Sequence, residues 1–329
     1  MRQSQFEARH QGEWRLLDDW LDKRGAGSAR RTPAAELDDD DFPAAYRRVC
    51  QQLAMAEQRG YSASLLGRLQ RLVQRGHTVL YRPPPPRWQR SLQFFARDVP
   101  RLLRAQRHYL FVAALLFFVP LFSAIVLLQW RPELAHSLFD AEQLAQYEDM
   151  YDPAAERHAL GRQSGSDLQM FGFYVMNNVS IGFRTFASGL IGALGPIFVL
   201  MLNGVLIGGV AGHLTAVGHG EPFWRFVSGH AAPELLAIVV AGAAGLKLGM
   251  ALLAPGQRSR TRALIEDGVI GAKLVLLVFV MLLFAAFVEA YWSSIGWMPS
   301  AIKFSVGGAL WVLILLWWWR GGRGEIDAR

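Results

Sequence analysis

The sequence has little cysteine and little charge. A single cysteine, Cys50, among 329 residues excludes an intramolecular disulfide framework and any zinc site built from several thiolates. Charged residues make up 19% of the chain and hydrophobic residues 52%, whereas an ordinary soluble domain has roughly 25% charged residues. This deficit of charge indicates long apolar stretches, and therefore a membrane protein.

Sequence signatures of catalysis and of export are also missing. The chain has no Walker A sequence, no GxSxG elbow and no GxGxxG fingerprint after a strand. Its first hundred residues contain no apolar run long enough for a signal peptide. We therefore expect a protein that is not an enzyme, binds no cofactor or metal, and keeps its N-terminal segment in the cytoplasm.

Long apolar runs over residues 110–320 predict an all-α polytopic membrane helix bundle of about six spans. The predicted spans are 110–130, 168–187, 190–214, 231–254, 269–292 and 302–319. Asn177, Asn178 and Arg184 interrupt the second of these, which leaves a re-entrant or in-plane helix as the alternative. Flanking charge places the arginine-rich residues 82–107 and the tail, residues 321–329, inside, and the acidic residues 131–167 outside.

Residues before the first span divide into two predicted parts. Apolar residues at helical spacing, such as Phe6, Trp14 and Leu17, predict a cytoplasmic helical domain over residues 1–82. Four prolines then predict a stiff spacer at the start of the 83–109 segment. The rest of this segment predicts a basic helix lying in the plane of the membrane surface. Its arginines are Arg87, Arg90, Arg97, Arg101, Arg104 and Arg107. A nucleic-acid patch is the competing interpretation, but the adjoining span favours the lipid surface.

Two predicted spans carry small residues four positions apart, which let helix backbones approach closely in lipid. These are Gly204, Gly208 and Gly212 in the third span and Ala241, Gly245 and Gly249 in the fourth. The strips indicate helix packing, either within one chain or across a homodimer.

Polar residues inside the spans are the candidate functional residues, because each needs a partner or water within the membrane. They are Asn177, Asn178, Asn203, His230, Glu234 and Glu289. His230 and Glu234 are four apart on one helix face, and Glu289 lies at a similar predicted depth near the outer side. We predict a hydrogen-bonded polar clamp between helices. The alternatives are a proton or ion relay and, third, a metal site.

The metal alternative rests on a different grouping of residues around the connection between the third and fourth spans. Its candidate ligands are His213, His219, Glu221, His230 and Glu234. No HExxH motif accompanies them, and ligands at i and i+4 occur often by chance. Lys247, Lys273 and Lys303 lie near span ends, where we expect their ammonium groups to reach the headgroups.

Several of these residues resemble the stage II sporulation protein M family. The resemblance rests on the Asn177–Asn178 pair, the RTFASG sequence at 184–189 and Asn203–Gly204. It continues in the GHAAPELLAIVVAGAAGLKLG block at 229–249, in Pro255–Gly256 and in FVEAYWS at 287–293. It covers about residues 108–320, and the soluble N-terminal segment is similar to that of the longer, non-sporulation members.

The resemblance implies a bacterial inner-membrane protein that scaffolds envelope or cell-wall machinery without being a hydrolase. Longer relatives often occur beside MoxR-type AAA ATPases, which implies such a partner, and a homodimer is expected. Both termini are expected in the cytoplasm, and no nucleic acid is expected as a partner. The alternative function is an ion- or proton-coupled channel or transporter that uses the His/Glu relay near the outer side.

Overall fold

The computed structural model describes residues 1–25, 37–81, 86–154 and 166–323, and those ranges contain helices and no β-strand. Two compact units make up the chain, Met1–Pro86 and Arg87–Arg329. The predicted polyproline spacer falls mainly on residues 82–85, which lie outside the described residues, as does most of the predicted tail.

The first unit is a three-helix domain with its own core. Its helices are α1 (Gln3–Gly25), α2 (Phe42–Gln58) and α3 (Ala63–Leu80). Phe6, Trp14 and Leu69 are buried together in its centre, and the indole nitrogen of Trp14 donates to Oε1 of Gln52 at 2.6 Å. Ser62 accepts a hydrogen bond from the backbone of α3 and so caps its start.

The second unit contains eleven α-helices among its described residues. They are α4 (Arg87–Gln93), α5 (Val99–Ala105), α6 (Arg107–Trp130), α7 (Ala135–Leu138), α8 (Ala141–Met150), α9 (Asp167–Ala187), α10 (Leu194–Ala216), α11 (Gly220–Val227), α12 (Ala231–Leu253), α13 (Arg260–Val288) and α14 (Ser300–Arg320). A π-helical turn joins α4 to α5, and a second, Glu289–Ser293, extends α13.

Five of these helices are long and apolar enough to cross a membrane: α6, α10, α12, α13 with its π turn, and α14. The predicted all-α membrane helix bundle is thus confirmed. Residues predicted as the second span form the 21-residue helix α9, which is not among the five, so the number of six spans stays a prediction. Asn177, Asn178 and Arg184 lie on this helix and lower its hydropathy.

Helix α12 occupies the centre of the bundle and packs against α6, α9, α10, α13 and α14. Within its most apolar stretch 78% of the residues are buried, against 11% for α14. Outward-facing residues of α14, such as Leu313 and Trp319, are apolar and exposed. Such a helix is suited to contact lipid on its outer face, because lipid tails are as apolar as its side chains.

The basic segment before α6 packs onto this bundle through one face. Val99 and Leu103 of α5 are buried in a core shared with α12, α13 and α14. Arg101 donates to the carbonyl of Gly322 at 3.0 Å, and Arg104 to that of Trp318 at 2.8 Å. These two arginines therefore bind carbonyls at the C-terminal end of α14, where a helix lacks donors of its own.

The remaining arginines of the predicted membrane-surface set lie differently. Arg90, Arg97 and Arg107 are exposed, as the predicted surface role requires, whereas the side chain of Arg87 lies outside the described residues. Trp88 and Leu92 are also exposed, at 65% and 61%. Exposed aromatic and basic residues together are typical of a helix at a lipid interface.

Candidate functional site

The polar residues at the start of α12 meet those at the end of α13. His230 immediately precedes α12, and Glu234 lies in its first turn. Glu289 begins the π turn that extends α13. The connection between α12 and α13 is short, which makes the two helices antiparallel neighbours. The beginning of one therefore lies beside the end of the other.

His230, Glu234 and Glu289 form one compact cluster. Nε2 of His230 lies 3.8 Å from Oε2 of Glu234, and one ligand atom from each of the three residues lies within 4.8 Å of the others. His230 is only 4% exposed, and the Glu234 side chain 19%. Within the described ranges, no lysine or arginine nitrogen lies within 4.0 Å of either carboxylate.

Two neighbouring side chains orient this cluster. The hydroxyl of Ser293 lies 3.0 Å from Nδ1 of His230. The amide nitrogen of Asn178 donates to Oε2 of Glu289 at 3.4 Å, and that of Asn177 donates to Oδ1 of Asn178 at 3.0 Å. The structure thus brings together five of the six predicted polar residues, from α9, α12 and the end of α13.

The π turn explains how one short segment supplies two groups to the cluster. A π-helix makes i→i+5 hydrogen bonds, and such turns often occur at functional sites. Glu289 and Ser293 are its first and last residues, and the hydroxyl of Ser294 donates to the carbonyl of Ala290 at 2.8 Å. Apolar periodicity does not predict a π turn, so Ser293 was missed from the sequence.

Lys303 lies behind the same turn. It is fully buried, its ammonium group donates to the carbonyl of Ser293 at 2.5 Å, and it lies 6.0 Å from the ring centre of Trp292. The prediction that Lys303 reaches the headgroups is therefore wrong, because a carbonyl acceptor is available inside the bundle. Lys273, in contrast, is exposed.

A cavity of about 760 Å³ adjoins the cluster. Its lining includes His230, Glu234, Glu289 and both asparagines, together with Tyr147 and Tyr151 from the segment that follows α6. Burial, and next the charge of Glu289, raise the pKa of Tyr151 well above its usual range. The Tyr151 phenol therefore keeps its proton and is a potential hydrogen-bond donor in the cavity wall.

Other residues predicted for the site lie elsewhere. Asn203 donates to the carbonyl of Val199 in its own helix at 2.7 Å. His213 pairs with Glu148 at 2.8 Å, and Glu221 accepts from the hydroxyl of Ser300 at 2.6 Å. His213, His219 and Glu221 are thus not in the cluster. The five candidate ligands of the metal alternative are therefore not brought together. Only His230 and Glu234 of that set lie in the cluster, and its third member is Glu289.

The small residues face other helices of the same chain. A Cβ atom on Gly208 would lie 2.2 Å from the carbonyl oxygen of Leu121, and Gly204 and Gly212 meet the backbone of α6 in the same way. A Cβ atom on Gly245 would lie 2.8 Å from the carbonyl oxygen of Thr185. The remaining two positions are Ala241, which is buried, and Gly249, which lies against the backbone of Ala193.

At the opposite end of α12 and α13 lies a second polar cluster, which the sequence analysis missed. Asp267 accepts from Lys247 at 3.0 Å and from Arg258 at 2.9 Å. Hydrogen bonds from Arg258 to Asp267 and then to Glu266 raise the pKa of the Arg258 guanidinium. Lys247 is partly buried and forms an ion pair with the buried Asp267, so the prediction that it reaches the headgroups is wrong.

The fold and this site define a class: an all-helical membrane protein with a buried polar cluster and a second, N-terminal helical unit. Residues 112–294 match the family described as Stage II sporulation protein M, and since this is more than half of the chain, the protein belongs to that family. Residues 4–82 match a domain of unknown function (DUF8413). Comparison with curated proteins and with solved structures finds no match.

Proposed function

We propose that this protein is a non-catalytic scaffold in the bacterial inner membrane, on which envelope or cell-wall remodelling proteins assemble. The observation that carries the proposal is the closed packing around α12. Its central stretch is 78% buried. A Cβ atom on Gly189 would lie only 2.3 Å from the carbonyl oxygen of Gly245, so the two backbones are in direct contact there. Such packing favours a bundle that keeps one arrangement of helices, as a scaffold requires, because close-packed interiors do not deform continuously.

Two surfaces are available for partners in this proposal. The N-terminal unit has its own core, and its exposed residues are the proposed binding surface for a cytoplasmic partner, such as a MoxR-type AAA ATPase. On the other side, α7 and α8 form a helical cap whose Leu144 is buried while Glu142 is exposed. Flanking charge supports the orientation with the cap outside and both termini in the cytoplasm.

Single-cysteine variants test both the orientation and the partners. In a Cys50→Ser background, Glu142→Cys on the cap and Arg71→Cys on α3 each give one exposed thiol. In intact cells, we expect a membrane-impermeant maleimide to label the Glu142→Cys variant and not the Arg71→Cys variant. A thiol-linked photo-crosslinker should then join the cap to cell-wall enzymes and the soluble unit to a cytoplasmic ATPase.

The rival function, transport, gives different results with a conservative substitution. A scaffold with Glu234→Gln should keep the crosslinked partners of the parent. Reconstituted parent protein should move no more protons or cations than empty liposomes do. Flux that depends on Glu234, or crosslinks from Glu142→Cys only to cytoplasmic proteins, would contradict the scaffold.

A further inference from the structure

The two carboxyl groups of the His230–Glu234–Glu289 cluster have no lysine or arginine partner among the described residues, so in their ionised form they need a counter-ion. Two carboxylates and one imidazole meet inside an apolar helix bundle, and His230 is 4% exposed. The ammonium group of Lys303 donates to the carbonyl of Ser293 and, among the described residues, forms no ion pair with Glu234 or Glu289. A buried charge is costly unless it is paired or coordinates a metal. A bound dication would neutralise two carboxylates completely.

The positions of the ligand atoms suit a metal after a small contraction. Metal–nitrogen and metal–oxygen distances of about 2.0–2.2 Å put ligand atoms about 3.4 Å apart around a tetrahedral zinc ion. The three ligand atoms here lie within 4.8 Å of one another. Each glutamate has rotatable side-chain torsions through which its carboxylate can approach the imidazole of His230.

The hydrogen bonds around the cluster are those that metal ligands have. A metal-bound histidine almost always donates its other ring N–H to an acceptor, and ligating carboxylates are in turn hydrogen-bonded. Nδ1 of His230 lies 3.0 Å from the Ser293 hydroxyl, which directs Nε2 towards Glu234. Oε2 of Glu289 accepts from Asn178, and its other oxygen is the one left for a cation.

The cavity provides the open coordination position. All three residues line a space of about 760 Å³, and zinc sites with three protein ligands keep a fourth position for water or another ligand. The donor set of one imidazole and two carboxylates suits transition metals better than Mg²⁺ or Ca²⁺, which prefer oxygen alone.

We infer that His230, Glu234 and Glu289 bind one divalent transition-metal ion, of the Zn²⁺ class, with a coordination position open to the cavity. Ser293 and Asn178 orient the ligands. This site is independent of the proposed scaffold function, since either stands if the other fails.

Titration of the full-length protein with Zn²⁺ tests the site. The protein is purified with an affinity tag that contains no histidine, stripped with a chelator, and titrated calorimetrically with ZnCl₂ and separately with MgCl₂. We expect one Zn²⁺ per chain and much weaker binding of Mg²⁺. The Ser293→Ala variant should bind Zn²⁺ about 10–100-fold more weakly, as for other residues that orient metal ligands, and Glu234→Gln and Glu289→Gln more weakly still.

His213 provides the matched control, because it is another buried histidine paired with a glutamate, Glu148, outside the cluster. The His213→Gln variant should bind Zn²⁺ as the parent does. Absence of stoichiometric Zn²⁺ binding by the folded parent would overturn the inference, as would unchanged affinity in both glutamate variants or loss of binding in His213→Gln.

Far-UV circular dichroism and size exclusion show whether each variant is folded. Where a ligand variant does not fold, X-ray absorption at the zinc edge of the parent decides the question. One imidazole nitrogen and otherwise oxygen ligands at about 2.0–2.1 Å support the site. Two or more imidazoles, or a sulfur ligand, would overturn it.

Discussion

Helices α12 and α13 have a polar cluster at each end, and the two clusters differ in whether their carboxyl groups are paired with cations. At one end the Asp267 carboxylate is held by two cations, Lys247 and Arg258. At the other end Glu234 and Glu289 share a histidine and, in the part of the chain that the structure describes, have no lysine or arginine within 4.0 Å.

This difference separates a structural cluster from a binding cluster. Lys247 and Arg258 are paired with Asp267, and Arg258 is also paired with Glu266, so two cations meet two carboxylates and link the two helices. The cluster of His230, Glu234 and Glu289 has two carboxyl groups without a lysine or arginine partner among the described residues, and it faces a cavity. Substitutions of single carboxylates should therefore have opposite consequences at the two ends.

The largest effect is expected for Asp267→Asn. This change leaves Lys247, whose side chain is 13% exposed, without its counter-charge, and breaking a buried ion pair costs about 3–5 kcal/mol. Thermal unfolding of the purified protein in detergent measures the loss. The exposed pair Arg262–Glu266 is the control, since Arg262→Gln should cost less than about 1 kcal/mol. Equal losses of stability for the two changes would show that the Asp267 ion pairs do not stabilise the bundle.

A smaller effect of opposite sign is expected for Glu234→Gln. Without metal this variant should be slightly more stable than the parent, because it removes a buried carboxyl group that has no lysine or arginine partner. Zn²⁺ at a hundred times its dissociation constant should stabilise the parent by about 2.7 kcal/mol and the variant hardly at all. Destabilisation of the metal-free variant like that of Asp267→Asn would make the two ends equivalent.

The sequence predicted much of one cluster and none of the other. Helical spacing placed His230 and Glu234 on one face, and hydropathy placed Glu289 at a similar depth. Ser293 was missed because its position depends on a π turn, which shifts the register by one residue. Lys247 and Asp267 were missed although the short connection between α12 and α13 gave a signal, since it brings residues near the two span ends to the same depth.

The helices themselves were predictable because lipid imposes one requirement on all of them. A membrane span must satisfy its backbone internally and be apolar along its length, and five of the helices that the structure describes meet this condition. Contacts between helices follow no such simple pattern. Hydropathy does not predict that Val99 and Leu103 pack onto the bundle. It also does not predict that Arg101 and Arg104 bind carbonyls at the end of α14, because both contacts depend on tertiary packing.

The N-terminal unit, Met1–Pro86, contains a buried titratable group for which a smaller effect is expected. Tyr46 is buried, and burial followed by its hydrogen bond with Cys50 raises its pKa to about 12 from 10.0. The folded state thus favours the neutral phenol. Its contribution to stability is complete below pH 10 and is lost as the pH rises through about 12.

Ultraviolet titration of the phenols tests this prediction. The difference between the parent and a Tyr46→Phe variant should show one phenol that titrates near pH 12, with the other tyrosines as an internal reference. The decrease in the free energy of unfolding of the N-terminal unit between pH 10 and about 12 should be smaller in the Tyr46→Phe variant than in the parent. A difference spectrum centred near pH 10 would mean that Tyr46 is not desolvated.

The smallest effect is expected for deletion of residues 1–82. Both polar clusters, and the five candidate spans found among the described residues, lie in the unit Arg87–Arg329. The truncated protein should therefore insert, purify without aggregation, and keep the unfolding temperature and the Zn²⁺ affinity of the full-length bundle. The Asp267→Asn and Glu234→Gln changes should keep their opposite signs in it. A tenfold loss of Zn²⁺ affinity on truncation, or aggregation despite normal expression, would show that residues 1–82 stabilise the bundle. The difference between the two polar clusters would then depend on more than α12 and α13.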